Sequence, residues 1–195
     1  MNNNISFQSR IRLVPESAFK QSIKRCRNNV VYPWTVKQTV CANKAFTEGV
    51  YDCTALGIND GHEVLFLHLC PNIPQNDNWS KLEKYIMENV REKLNPENMQ
   101  ALILGSKRDN ISSPRSTGLF EFLEGVLKKL NIPYSKFKGG DFENHLSYDS
   151  VKDEWLIGNK LLDIISDTKV FGSVENAVNR IFTDVKMADF DELTW

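Results

Sequence analysis

Hydrophobic positions in the middle of the chain follow two rhythms. One is the alternation of a half-buried strand, and the other is the three-to-four spacing of an amphipathic helix. "WTVKQTVCAN" alternates and is rich in β-formers, which predicts a strand over residues 35–42. "GVYDCTALGI" and "HEVLFLHLC" predict two more, joined through "NDG". Trp79, Leu82, Tyr85, Ile86, Met87, Val90 and Leu94 then recur at helical spacing, and Pro96 follows the end. "MQALILGS" predicts a buried strand, and "DNISSPRSTG" a polar loop. "LFEFLEGVLKKL" predicts a helix with Lys128 and Lys129 where the dipole favours cations.

"IPYSKFK" predicts a strand running into Gly139-Gly140, and "NHLSYD" with "EWLIGN" a further hairpin. "SVENAVNRIFTDV" predicts a helix near the end, and the acidic "DFDELTW" a frayed end. Before residue 34, "ESAFKQSIKRCRNN" carries weak helical periodicity that Pro33 breaks, so residues 1–33 read as a variable N-terminal segment. Interspersed strands and helices in one chain of this length predict a single α+β layered domain.

Composition narrows the class without naming it. With 195 residues the chain can bury one real core. A hydrophobic share of 41% and a charged share of 25% are those of a globular protein. The formal net charge of −1 gives no bulk pull toward nucleic acid or a membrane, and no apolar run has the length of a membrane helix. The start lacks the apolar segment of a Sec signal peptide. The expected location is therefore the cytoplasm, or a host cell reached by a dedicated export machine. The four cysteines, Cys26, Cys41, Cys53 and Cys70, form no C-x-x-C pair. They are expected to be thiols in a reducing compartment, most of them buried and inert.

The candidate chemistry lies in the first hairpin. If Asp60 and Gly61 form a two-residue turn, Asn59 pairs with His62 and Cys53 pairs with His68 on one face of the sheet. Opposed Cβ atoms on such strands lie about 4.5–5.5 Å apart, which lets an imidazole reach a thiol. A three-residue loop would instead pair Cys53 with Leu67 and turn His68 to the other face. A cysteine and a histidine on neighbouring strands also suit a buried structural thiol beside a core histidine. His62 falls at the turn, away from Cys53. Cys70 shares the face of His68 and is a competing nucleophile. His145 reads as a surface residue after a loop, and Lys107, Arg108 and Arg115 as a solvated basic loop without P-loop glycine spacing.

Taken in order, these landmarks resemble the CheD family of protein-glutamine deamidases, whose broader fold is shared by the catalytic domains of cytotoxic necrotizing factor and Burkholderia lethal factor. Thr47 stands six residues before Cys53, as the family's catalytic threonine stands before its nucleophile. His68 lies on the next strand, and "HLCP" is similar to the family's His followed by Leu-Pro. The helix from Trp79, the strand "ALILGS", the stretch "LKKLNIPYSKFKGG" and the hairpin "HLSYDSVKDEWLI" complete the series. The resemblance spans residues 35–158 and leaves residues 1–34 and 159–195 as extensions. Tyr51 and Asp52 stand where the family has small residues, and "GSK" stands where it has Gly-Gly-Ala.

The resemblance implies a fold of sandwich-like sheets flanked by helices. It implies Cys53 as nucleophile, His68 as its acid-base partner and Thr47 as the group holding the imidazole. It implies no metal or organic cofactor, a protein substrate carrying a target glutamine, and a setting in bacterial chemotaxis or as a host-directed effector or toxin. Two other classes remain open from the residues. One is a different cysteine hydrolase or transglutaminase on the same side chains. The other is a non-catalytic binding protein of the same fold.

Overall fold

The computed structural model describes residues 9–24, 29–31, 40–71, 75–106, 114–139, 142–168, 173–183 and 185–193. Most of the expected strand over 35–42, Cys26, Lys107, Arg108, Gly140 and Trp195 lie outside them.

The described residues build a four-layer α+β sandwich. In chain order the strands are β1 (Arg10–Pro15), β2 (Val40–Ala42), β3 (Lys44–Val50), β4 (Thr54–Asn59), β5 (Val64–Leu69), β6 (Gln100–Gly105), β7 (Tyr134–Gly139), β8 (Asn144–Asp149), β9 (Glu154–Asn159), β10 (Phe182–Thr183) and β11 (Glu192–Leu193). The helices are α1 (Glu16–Ile23), α2 (Gln75–Lys93), α3 (Pro114–Lys129), α4 (Lys160–Thr168) and α5 (Val174–Ile181). One sheet runs β11-β1-β9-β8-β3 and the other β10-β7-β6-β4-β5-β2.

Strand periodicity decides which residues meet. Along β4 and β5, Ala55, Val64 and Phe66 face the other sheet, while Leu56, Ile58, Leu65, Leu67 and Leu69 face the helices. The inner cluster joins both sheets through Leu13, Val50, Leu104, Leu146, Tyr148, Trp155 and Ile157. The outer cluster packs β4, β5 and β6 against α2 and α3 through Leu82, Ile86, Val90, Leu119, Leu123 and Leu127. A third, smaller cluster seats Phe19 and Ile23 of α1 on Val14, Phe46 and Leu156. With both faces of the second sheet covered, every residue of β4, β5 and β6 is buried, which explains runs such as "VLFLHL" that do not alternate in polarity.

Close approach between the sheets is built with glycine. A Cβ at Gly57 would lie 2.3 Å from the Trp155 ring, so Trp155 fills the space a side chain would take.

Both ends of the chain belong to these sheets. Strand β1 pairs in parallel with β9 on one side and with β11 on the other. Strand β10 extends the second sheet beside β7. The described residues before 34 and after 159 are thus structural parts of the sandwich. The acidic end is docked there too: Asp191 accepts the Ile11 N–H at 2.6 Å and Glu192 meets Arg12 at 2.9 Å.

Candidate functional site

The site is assembled across the gap between the sheets. Thr47 comes from β3 in one sheet and His68 from β5 in the other. Their side chains meet at 2.6 Å, Thr47 Oγ1 to His68 Nδ1. The Thr47 hydroxyl also donates to the Val31 carbonyl at 2.7 Å. A threonine hydroxyl has one hydrogen, and a carbonyl can only accept it. The hydroxyl oxygen therefore accepts from His68, which places the imidazole proton on Nδ1 and leaves Nε2 with a bare lone pair. Val31 is itself fixed by a backbone bond from its N–H to Phe46 at 2.9 Å.

His68 is 2% exposed. Burial disfavours its charged form and lowers its pKa to about 4, so the ring is neutral at physiological pH. Its Nε2 is buried and has no hydrogen-bond partner among the described residues. Leaving such an atom unpaired costs about 1–3 kcal/mol, a cost commonly retained at working sites.

Cys53 lies in the turn between β3 and β4. That turn is pinned by the end of the adjacent strand β6 and by α3. Ser106 N–H donates to the Cys53 carbonyl at 3.3 Å, and Ser116 Oγ, in the first turn of α3, donates to the Asp52 carbonyl at 2.6 Å. Gly105 allows this approach: it has φ +133°, and a Cβ there would lie 2.2 Å from the Cys53 oxygen. Ser106 continues the bend at φ +64°, a region non-glycine residues seldom occupy.

The hairpin register corrects the sequence expectation. His68 pairs with Ala55, and Thr54 with Leu69, so Cys53 falls opposite Cys70 instead of His68. The connection has four residues because Asp60 acts as a local acceptor. Its carboxylate takes the N–H groups of His62 at 2.9 Å and Glu63 at 2.8 Å, while Asn59 Oδ1 takes that of Gly61 at 3.0 Å. Side-chain acceptors thus replace the compact Asp-Gly turn. The shift is two residues, so Cys53 stays on the face of His68 as a diagonal neighbour, a relation that separates residues by about 7–8 Å.

The cysteine sulfur is turned toward its direct neighbour. Cys53 Sγ lies 3.4 Å from Cys70 Sγ. Burial, the contact with Cys70 and the nearby Asp52 charge push the Cys53 thiol up to about 12. The cysteine and histidine are therefore a neutral thiol and a neutral imidazole in this conformation.

The remaining candidates separate clearly. His145 is 2% exposed, which corrects the expectation of a surface residue. Helix α1 covers it: the ring stacks on Phe19 with centroids 5.3 Å apart, accepts the Gly49 N–H at 3.3 Å, and lies 3.5 Å from Glu16. It is on the outer face of its sheet, since Leu146 and Tyr148 face inward. Cys41 contacts Glu63 at 3.2 Å, and burial with that carboxylate raises its thiol to about 11. Arg115 is exposed at the start of α3. Sequence reasoning missed the Val31 carbonyl, the clamp from Gly105, Ser106 and Ser116, and the direct Cys53–Cys70 pairing. Only the last had a local signal, in the parity of Cys70 along β5.

The sequence matches no protein-family model and no curated protein.

Proposed function

We propose that the chain is a cysteine-dependent amidohydrolase that converts a glutamine side chain of a protein substrate to glutamate with release of ammonia. The observation that carries this reading is the Thr47–His68 hydrogen bond between the sheets. It joins two residues expected to serve one active site and leaves Nε2 with a free lone pair on a residue that shares its sheet face with Cys53.

The resting protonation states favour a coupled step over a preformed ion pair. Cys53 holds its proton and His68 is neutral. Rotation of the Cys53 side chain away from Cys70 brings the thiol toward Nε2. The imidazole takes the proton as sulfur attacks the carboxamide carbon, and Thr47 keeps the ring in the required tautomer. Backbone N–H groups at the Cys53 turn would stabilise the oxyanion. His68 then protonates the departing ammonia, and water activated by the same nitrogen hydrolyses the thioester. The protein substrate is placed in the cytoplasm of the producing cell, in chemotaxis, or in that of a host. Among the described residues no helix is long and apolar enough to cross a membrane.

A non-catalytic binding role is the second reading, favoured by the Cys53 sulfur being turned toward Cys70. Ammonia release and peptide mass mapping, with chemoreceptor cytoplasmic domains and whole bacterial or host lysates as substrates, separate the two. The deamidase reading requires glutamine-to-glutamate conversion by the wild type that Cys53→Ser and His68→Ala both abolish. Equal conversion by Cys53→Ser refutes Cys53 as the nucleophile, and no conversion by the wild type refutes the activity in favour of binding. Amine incorporation at the same glutamine would identify a transglutaminase.

A further inference from the structure

We propose that Cys53 and Cys70 form a reversible disulfide, a modification site that withdraws Cys53 from chemistry under oxidising conditions. The two cysteines extend the β4–β5 ladder by one pair, opposite each other just beyond Thr54 and Leu69. Their sulfurs are 3.4 Å apart and neither is in a disulfide. A disulfide needs about 2.05 Å, so side-chain rotation over little more than an ångström closes the gap. Both residues are partly exposed, which gives a small oxidant access that the buried His68 lacks.

Three features make the pair more than two neighbouring thiols. Ser106 holds the Cys53 carbonyl and Ser116 the Asp52 carbonyl, so the Cys53 backbone stays in place while its sulfur is free to turn toward Cys70. Cys70 leads directly into Pro71, whose fixed φ limits the chain at the strand exit. Cys41 is engaged with Glu63 on the neighbouring strand. The geometry therefore selects one partner for Cys53.

The oxidant is a peroxide. Hydrogen peroxide oxidises one thiol to a sulfenic acid, breaking the O–O bond and releasing water. The second thiol attacks that sulfur, the S–S bond forms, and a second water leaves. Two electrons pass from the thiols to the peroxide. A dithiol reverses the change by exchange, becoming the disulfide itself. Loss of activity on oxidation rests on the function proposed above; formation of the bond does not.

The test treats the full-length protein with hydrogen peroxide, blocks remaining thiols with iodoacetamide, and maps peptides without reduction. The expected result is one cross-linked peptide pair, Cys53 with Cys70, while Cys41 is alkylated. Dithiothreitol should restore alkylation of both cysteines. Cys53 oxidised to sulfinic acid beside a free Cys70, or linked to Cys41 or Cys26, would overturn the proposal, as would full alkylation after peroxide. These readings come from mass alone on the wild-type chain and stand whether or not it deamidates. In Cys70→Ala, peroxide should carry Cys53 past sulfenic acid; protection equal to the wild type would also overturn it.

Discussion

Replacing Thr47 with valine removes one oxygen and nearly nothing else. That oxygen serves two groups at once, the Val31 carbonyl and the His68 Nδ1–H. Thr47 is fully buried, so water cannot substitute for it without rearrangement. Each orphaned group costs about 1–3 kcal/mol. The added methyl returns up to about 1 kcal/mol of burial. The net expectation is a loss of about 1–5 kcal/mol, centred near 3, a large share of the roughly 5–15 kcal/mol that holds a domain together. Urea unfolding followed by circular dichroism measures it, as a midpoint lowered by about 1–2 M with an unchanged slope.

Thr47→Ser is the matched control. It keeps the hydroxyl and loses only a methyl, for about 1 kcal/mol. If the hydroxyl also sets the histidine tautomer, Thr47→Ser retains deamidation and Thr47→Val loses it even where both are folded. Equal stability of Thr47→Val and the wild type would refute the reasoning, because the hydrogen bonds would then contribute nothing. Equal damage in both variants would show that the methyl, not the oxygen, matters.

Other outcomes follow from the same geometry. His68 has a folded pKa of about 4, below its unfolded value of about 6.5, so the unfolded chain binds the extra proton first. Stability should fall as pH drops from about 6.5 to 4, by about 3 kcal/mol from this group, and urea midpoints of His68→Asn should fall less over that window. Gly105→Ala forces a Cβ against the Cys53 oxygen at φ +133°; calorimetry should show a loss of about 3 kcal/mol, and, under the proposed function, deamidation per folded molecule should slow. Asp60→Ala removes an acceptor for His62, Glu63 and the Asn95 N–H at 2.9 Å, and should cost about 2–3 kcal/mol at neutral pH. Burial opposes the Asp60 charge, but those N–H groups outweigh it and lower its pKa, so the gap from wild type should narrow as pH falls through its folded value.

The hairpin shows how much of the site local sequence carries. The β-rich runs around "NDG" identified both strands, and the assumed two-residue register placed Cys53 and His68 on one face, which the observed shift of two residues keeps. The partner of Cys53 was not legible from the Asp-Gly pair, because Asp60 binds the backbone N–H groups of His62 and Glu63 within the connection and of Asn95, beyond α2. The strand β1 was hidden for a different reason. Ile11 and Leu13 face inward between exposed or half-exposed Arg10 and Arg12, but the partner strand β9 is distant in sequence and no turn announces it. His145 was misjudged because the helix that covers it precedes it by more than a hundred positions and shows only weak periodicity. Thr47 and His68 were legible as residues, not as a contact, since nothing local joins two different sheets.

The place of β1 between β9 and β11 sets a clock on the protein's manufacture. Arg10 pairs with Glu154, 144 positions later. At about 5–20 residues per second, a ribosome takes roughly 7–30 seconds to deliver that partner. During that interval β1 has neither of its neighbours, and the sheet that carries Thr47 cannot close over the one that carries His68. The Thr47–His68 contact thus forms late, and a nascent chain holds its thiols unguarded until β9 has emerged.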